Sequence, residues 1–268
     1  MKKSGSGDTS VPPSAYTREY YTNCCDGCKQ FSDTLGQELP ERLSFPFQLA
    51  NIQPGMRVID IGCGRGEVIL HCARKGAVVW GVDYALEAVL VAREALEKVT
   101  TPDEFTRLAI IWGNACELPF PDSSVNLAFM LDIVEHLNSL ELREAISEVR
   151  RVLYPGGHLI VHTMPNLWYY HYGYPLYRFI QRIRGQDLPL DPRDRWPFRH
   201  VHVNEQTPVS LRRVIRDGGF KGRVWVKRTQ SYNYELNPLV RLGMRFLTSV
   251  YPFRWIFCDD IFAVGIKK

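Results

Sequence analysis

Between residues 58 and 66 the chain runs Val58-Ile59-Asp60-Ile61-Gly62-Cys63-Gly64-Arg65-Gly66, an apolar run that ends in an acidic residue and three alternate glycines before a helical pattern begins. Glycines at such a junction let the backbone take turn dihedrals and come close to a ligand, and the following helix presents its amide-rich N-terminus. The feature therefore predicts a ligand cradle at the end of a strand, inside an α/β unit.

The rest of the chain agrees with that unit. Residues 57–61, 78–82, 108–112, 125–130 and 158–163 are apolar β-type runs, and residues 66–75, 85–98 and 140–153 between them carry apolar side chains at three- and four-residue intervals. This alternation predicts parallel βαβ units with helices on both faces of the sheet. Pro155-Gly156-Gly157 closes the last of those helices. Residues 208–217 predict another helix, opened by Thr207 with Pro208 at its first position and closed by Gly218-Gly219; residues 223–227 and 260–267 predict two further strands.

The flanking segments differ in character. Residues 1–14, rich in Ser, Gly and Pro, have too little apolar surface to offset the entropy of ordering and are expected to be a flexible tail. Residues 15–50 predict an N-terminal helical cap, with helical apolar spacing over 31–49. Residues 51–268 form the main domain, with two insertions. The first, 165–205, is dense in aromatic residues, His, Arg and Pro without a sustained period; the second, 231–257, predicts a basic amphipathic helix over 236–257 carrying Arg241, Arg245 and Arg254. No internal repeat is evident.

With 45% apolar residues in 268, the chain can bury a sizeable core, which excludes disorder throughout. No apolar run approaches the roughly 20 residues of a spanning helix, and the first 14 residues lack the apolar centre of a signal peptide, so a cytoplasmic chain is expected. Cys63, Cys72 and Cys116 fall in interior elements, which favours reduced thiols. Cys24, Cys25 and Cys28 cluster, but no second Cys/His pair completes a zinc set, and no metal is expected. The net charge of +4 hides an asymmetry: residues 164–268 hold 18 Lys+Arg against 8 Asp+Glu, and the residues before them 15 against 21. Such a basic part attracts phosphate, anionic lipid or nucleic acid, or is simply a solvated surface.

Asp83, 17 residues beyond Gly66 at the end of the second strand, has the position of a carboxylate that accepts two ribose hydroxyls; capping the next helix is the alternative. Tyr84 beside it has the position to cover an adenine. The glycine spacing G-x-G-x-G, rather than G-x-G-x-x-G, favours S-adenosylmethionine over NAD.

On these residues the chain resembles class I S-adenosylmethionine-dependent methyltransferases over most of residues 50–163. The resemblance implies a Rossmann-like fold with a seven-stranded, mostly parallel sheet. It also implies a cofactor site at Asp60, Gly62, Cys63, Gly64, Gly66, Asp83 and Tyr84. Trp112-Gly113-Asn114-Ala115 resembles the segment that contacts adenine, with Asn114 in place of the commoner Asp; its amide oxygen accepts the same hydrogen bond. Leu131-Asp132-Ile133-Val134-Glu135-His136-Leu137 resembles the small-molecule branch, in which this loop, with Asp132, borders the methionine end of the cofactor. The distal pattern Arg199-His200-Val201-His202-Val203-Asn204 resembles bacterial enzymes acting on cell-surface sugars, lipids and secondary metabolites, which implies a hydroxyl or amine acceptor.

Methyl transfer from a sulfonium needs positioning and, for a hydroxyl, removal of a proton; His is the side chain whose ordinary pKa suits that task. His136, His200 and His202 are the candidates, His136 and His202 as bases and His200 as a substrate contact, each with packing or loop bonding as the alternative. Tyr20 and Tyr21 in the cap and Trp168 in the aromatic insertion are the other candidate substrate contacts. The expected partner is a small-molecule or lipid-linked acceptor, with peripheral contact at the inner membrane surface through 236–257. Nucleic acid is disfavoured, since neither an Asn/Asp-Pro-Pro-Tyr run nor a Pro-Cys pair occurs. An RNA methyltransferase and a non-catalytic cofactor-binding protein stay open as alternatives.

Overall fold

The computed structural model describes residues 10–25, 27–228 and 237–268. Its strands are β1 (Arg57–Ile61), β2 (Val78–Asp83), β3 (Leu108–Trp112), β4 (Val125–Leu131), β5 (Leu153–Thr163), β6 (Phe220–Lys227) and β7 (Asp260–Lys267). They form one sheet in the order β3-β2-β1-β4-β5-β7-β6. β1 to β5 pair in parallel, and β7 runs antiparallel to both β5 and β6. The α/β class and the seven-stranded, mostly parallel Rossmann-like sheet are as expected.

Strand alternation builds both cores. Ile59, Ile61, Ala128 and Met130 face one side, against the helices Ser139–Val152 and Pro208–Asp217. Val58, Leu127, Phe129 and Leu131 face the other, against Glu67–Arg74 and Leu86–Val99. Covered on both faces, the central strands are apolar at nearly every position. Each fully buried side chain of this size contributes about 1.5–3 kcal/mol. The strand order reverses between β1 and β4, and in such sheets the crevice at the carboxyl ends of the strands at that point receives ligands.

Several expected boundaries shift. The helix expected over 31–49 is two, Cys28–Thr34 and Glu41–Leu49, because Leu35 and Gly36 turn left-handed (φ 49° and 80°) and Pro40 opens the second. β5 begins at Leu153, so Pro155-Gly156-Gly157 lies within it, where the register with β4 shifts between Val125 and Leu127. A Cβ at Gly157 would stand 2.8 Å from the Tyr154 carbonyl oxygen. β6 begins at Phe220, which pairs with Lys267. The aperiodic stretch after β5 holds the helix Tyr174–Ile183. The helix expected over 236–257 is Pro238–Ser249 and Arg254–Phe257, interrupted near Pro252, which has no amide hydrogen to donate. Leu236 and the rest of 231–236, like residues 1–9 of the expected tail, lie outside the described residues. Within that tail Val11 is buried, and its carbonyl accepts the Tyr84 hydroxyl at 3.0 Å.

Candidate active site

The carboxyl ends of β1, β2 and β4 open into a cavity of about 490 Å³. Its floor is the glycine loop. Gly62, Gly64 and Gly66 all have positive φ (71°, 51° and 85°), the left-handed region that favours glycine. A Cβ at Gly62 would meet Ile133 at 2.8 Å, and one at Gly66 would meet Leu96 at 3.2 Å, so both seat the loop against its neighbours. Gly64 is different: the nearest atom to its Cβ position is Tyr21 Cε1 at 3.9 Å, which leaves its face open to the cavity.

Asp83 at the end of β2 holds this loop. Its Oδ2 accepts the Gly64 amide at 3.0 Å and its Oδ1 the amide of Ala85, the residue just before the helix Leu86–Val99, at 2.9 Å. The Tyr84 amide also lies against the carboxylate, which leaves part of its acceptor capacity free. Burial pushes the Asp83 carboxyl up to about 6. Asp60, also buried, is pushed well above the carboxylate range by burial and by the Glu67 and Asp83 charges. Cys63, Tyr84, Asn114 and Ala115 line the same end. Asn114 Oδ1 accepts the Cys116 amide at 3.0 Å, so one of its two lone pairs is already used.

After β4 the chain turns sharply at Asp132, a non-glycine residue at φ 56°. Its carboxylate pairs with Arg42 and with His162 Nδ1, and His162 Nε2 lies 3.0 Å from Asp260 Oδ1. Asp132 is thus tied to the cap and to β7 while it lines the cavity. Arg42 was not foreseen, although a signal existed: it shares a buried helical stripe with Pro46 and Ala50 at four-residue spacing.

His136 and His202 meet in the cavity wall, ring centroids 4.8 Å apart at 87°. His136 Nδ1 lies 2.9 Å from Tyr16 Oη and 3.1 Å from the Val201 carbonyl, which commits that nitrogen to the protein. Burial, with the His202 charge, pushes His136 well below 6.5; burial also lowers His202. Both imidazoles are neutral near pH 7. Glu135, buried, accepts the Thr163 hydroxyl at 2.7 Å.

Glu135, His136 and His202 bring potential metal-ligand atoms within 4.8 Å of one another. Ligand atoms around a tetrahedral ion with 2.1 Å bonds are about 3.4 Å apart, so an ion would have to draw these side chains together. One thiol of the cysteine cluster, Cys25, meets the glycine loop. Arg65, inside the glycine loop and fully covered, gives its Nη1 to the Tyr21 carbonyl and to Cys25 Sγ, both at 3.1 Å, and its Nε to Glu67 at 2.9 Å. Its guanidinium also lies 4.9 Å from the Phe31 ring centroid. Burial raises the Cys25 thiol to about 11, keeping it protonated.

Tyr20 and Tyr21 line the cavity with Tyr16, in an edge-packed aromatic group that includes Phe198. Trp168 and His200 do not line it. Trp168 packs toward Trp255, and His200 is exposed beside Phe198. The aromatic wall comes instead from Tyr169 and Tyr170 in the helical turn Tyr169–Gly173 and from Tyr174 at the start of the following helix. Also in this outer half is Asp259, whose carboxyl burial pushes up to about 7 and whose Oδ1 has no hydrogen-bond partner among the described residues.

Residues 59–161 match the family model of a methyltransferase domain. A protein of Mycolicibacterium smegmatis described as a probable S-adenosylmethionine-dependent methyltransferase is 30% identical over 177 residues, which span 65% of this chain and 55% of that protein. The 27-O-demethylrifamycin SV methyltransferase of Amycolatopsis mediterranei is 32% identical over 40% of this chain and 38% of its own length. The chain thus spans about half or less of the length of these relatives. Among solved structures, a complex of the Haloferax volcanii Trm112 methyltransferase activator with a methyltransferase matches with a TM-score of 0.62 at 18% identity, covering 96% of this chain and 99% of that one. This last likeness concerns the fold.

Proposed function

We propose that this chain, which carries a class I S-adenosylmethionine-dependent methyltransferase domain over residues 59–161, transfers the methyl group to a small-molecule, sugar or lipid-linked acceptor, at a hydroxyl. The observation that carries the reading is the continuity of one cavity from the Gly64–Asp83 hydrogen bond to the neutral His136–His202 pair. The open face of Gly64 and the remaining acceptor sites on buried Asp83 suit a ribose and an amino-acid tail, so the residues present fit the cofactor.

S-adenosylmethionine supplies an electrophilic methyl group when bound. The chain's own residues do the rest. Asp83 accepts the ribose hydroxyls, Tyr84, Asn114 and Ala115 flank the adenine, and Asp60, Gly62, Cys63, Gly66 and Asp132 line the ribose and methionine end. Tyr20, Tyr21 and the tyrosines of the aromatic wall exclude water and hold the acceptor. His202, whose ring packs edge-on against His136 and makes no side-chain hydrogen bond among the described residues, takes the hydroxyl proton on a ring nitrogen, and His136 orients the His202 ring. A positioned base that is neutral at pH 7 contributes on the order of 10²–10⁴ in rate.

The acceptor class draws on the relative named 27-O-demethylrifamycin SV methyltransferase. The lipid-linked version draws on the exposed basic segment after residue 236, which suits peripheral contact with a membrane surface; no helix among the described residues is long and apolar enough to cross one. Calorimetric titration of S-adenosylmethionine and S-adenosylhomocysteine into wild type and Asp83→Ala tests the cofactor half. Screening hydroxylated acceptors with radiolabelled methyl donor tests the other half. Cofactor binding with no acceptor methylated would favour the non-catalytic reading, and methylated RNA would overturn the small-molecule reading.

A further inference from the structure

The helices Tyr174–Ile183 and Pro238–Ser249 share a pattern that neither neighbouring sequence carries. Pro175-Leu176-Tyr177-Arg178-Phe179-Ile180-Gln181-Arg182-Ile183 and Pro238-Leu239-Val240-Arg241-Leu242-Gly243-Met244-Arg245-Phe246 both run Pro-Leu-x-Arg-apolar-x-x-Arg-apolar. In a helix the three apolar positions, spaced by three and four, fall on one face and the two arginines, four apart, on its flank.

That apolar face points to solvent. Phe179 is 61% and Ile183 71% exposed on the first helix, and Leu239 78% and Leu242 64% on the second. The inward faces are held by Tyr174 and Gln181 in one case and by Thr248 in the other. Neither helix contains an acidic residue. The two are joined through the cavity wall: the turn Tyr169–Gly173 leads into the first helix and packs on Arg254–Phe257, which packs on the second. Tyr169, Tyr170 and Phe257 of these connecting segments line the cavity.

We propose that these two outward faces form one docking surface for a membrane rich in anionic lipid, with the apolar side chains entering the interface and Arg182, Arg241 and Arg245 meeting lipid phosphates. A solvent-facing apolar stripe with basic flanks and no acid is the pattern of a helix that lies in a bilayer interface. Charge complementarity selects an anionic surface, since each arginine near it strengthens binding about fivefold. The inference deepens the peripheral contact proposed above: it adds a second helix and ties both to the walls of the acceptor cavity. It does not require methyl transfer, so it stands or falls separately from the acceptor reading.

The test is flotation of the purified chain with vesicles of phosphatidylcholine alone and with phosphatidylglycerol added, at low and high salt. Three forms are compared: wild type, Phe179→Ser/Ile183→Ser, and Arg241→Gln/Arg245→Gln, each checked for unchanged S-adenosylhomocysteine binding. The expected result is salt-sensitive binding to the anionic vesicles, reduced tenfold or more in both variants. Absence of binding, or binding that both variants retain, would overturn the proposal. So would a wild-type dimer, by light scattering, that becomes monomeric in the variants, because a second copy would then cover this face.

Discussion

The Asp83 carboxylate accepts the amide hydrogen of Gly64 at 3.0 Å, tying the end of β2 to a loop 19 residues earlier in the chain. The same carboxylate bonds the Ala85 amide, and burial raises its pKa to about 6. Its pH behaviour follows from the sign of that shift. Because the folded value lies above the ordinary 3.8, the carboxyl's contribution to stability is full below about 4 and is lost as pH rises through 6. Hydroxyl donors favour the ionised form, so cofactor affinity should move the opposite way and weaken as pH falls below 6, toward a limit of tenfold per unit. Calorimetry of S-adenosylhomocysteine binding between pH 5 and 7.5 checks this, with Asp83→Asn expected to bind weakly and without that pH dependence.

His202→Ala should lower turnover with the true acceptor by about 10²-fold or more while leaving S-adenosylhomocysteine affinity within about twofold. His202 is pushed below 6.5 by burial, so the wild-type rate should fall only at pH below that value. A rate in the alanine variant equal to wild type would remove His202 from the proton-transfer role.

Gly62→Ala places a Cβ 2.8 Å from Ile133 at a φ of 71°. The left-handed conformation costs about 1–2 kcal/mol and the crowding adds to it. A lower midpoint of thermal unfolding, together with weaker cofactor binding, is expected. Gly55→Ala is the control, because it shares a positive φ (78°) and has nothing within 4 Å.

Arg65→Met would leave Glu67 buried without its partner, release the Tyr21 carbonyl and remove the contact with Phe31. Breaking a buried pair from one side costs about 3–5 kcal/mol. Denaturant titration should show that loss, and proteolysis should cut first in residues 15–50, since Arg65 fastens this segment to the glycine loop. Unaltered protease resistance there would mean that the cap is held by its other contacts.

Local pattern made the scaffold and the glycine-loop end of the cavity legible. β1, β3 and β7 fall where the apolar runs predict, and the glycine loop and Asp83 carry their geometry in a few consecutive residues, because turn dihedrals and strand ends are set by near neighbours. The outer half of the cavity was not legible in this way. That His136 meets Tyr16, 120 residues away, that Asp132 is held by Arg42 and His162, and that Tyr169 and Tyr170 rather than Trp168 face the cavity are matters of long-range packing. An aperiodic insertion gives no rule for which side of its backbone turns inward. Only assembly of the sheet, which brings the ends of β1, β2 and β4 beneath the cap and the insertion, decides which histidines, tyrosines and carboxylates share one cavity.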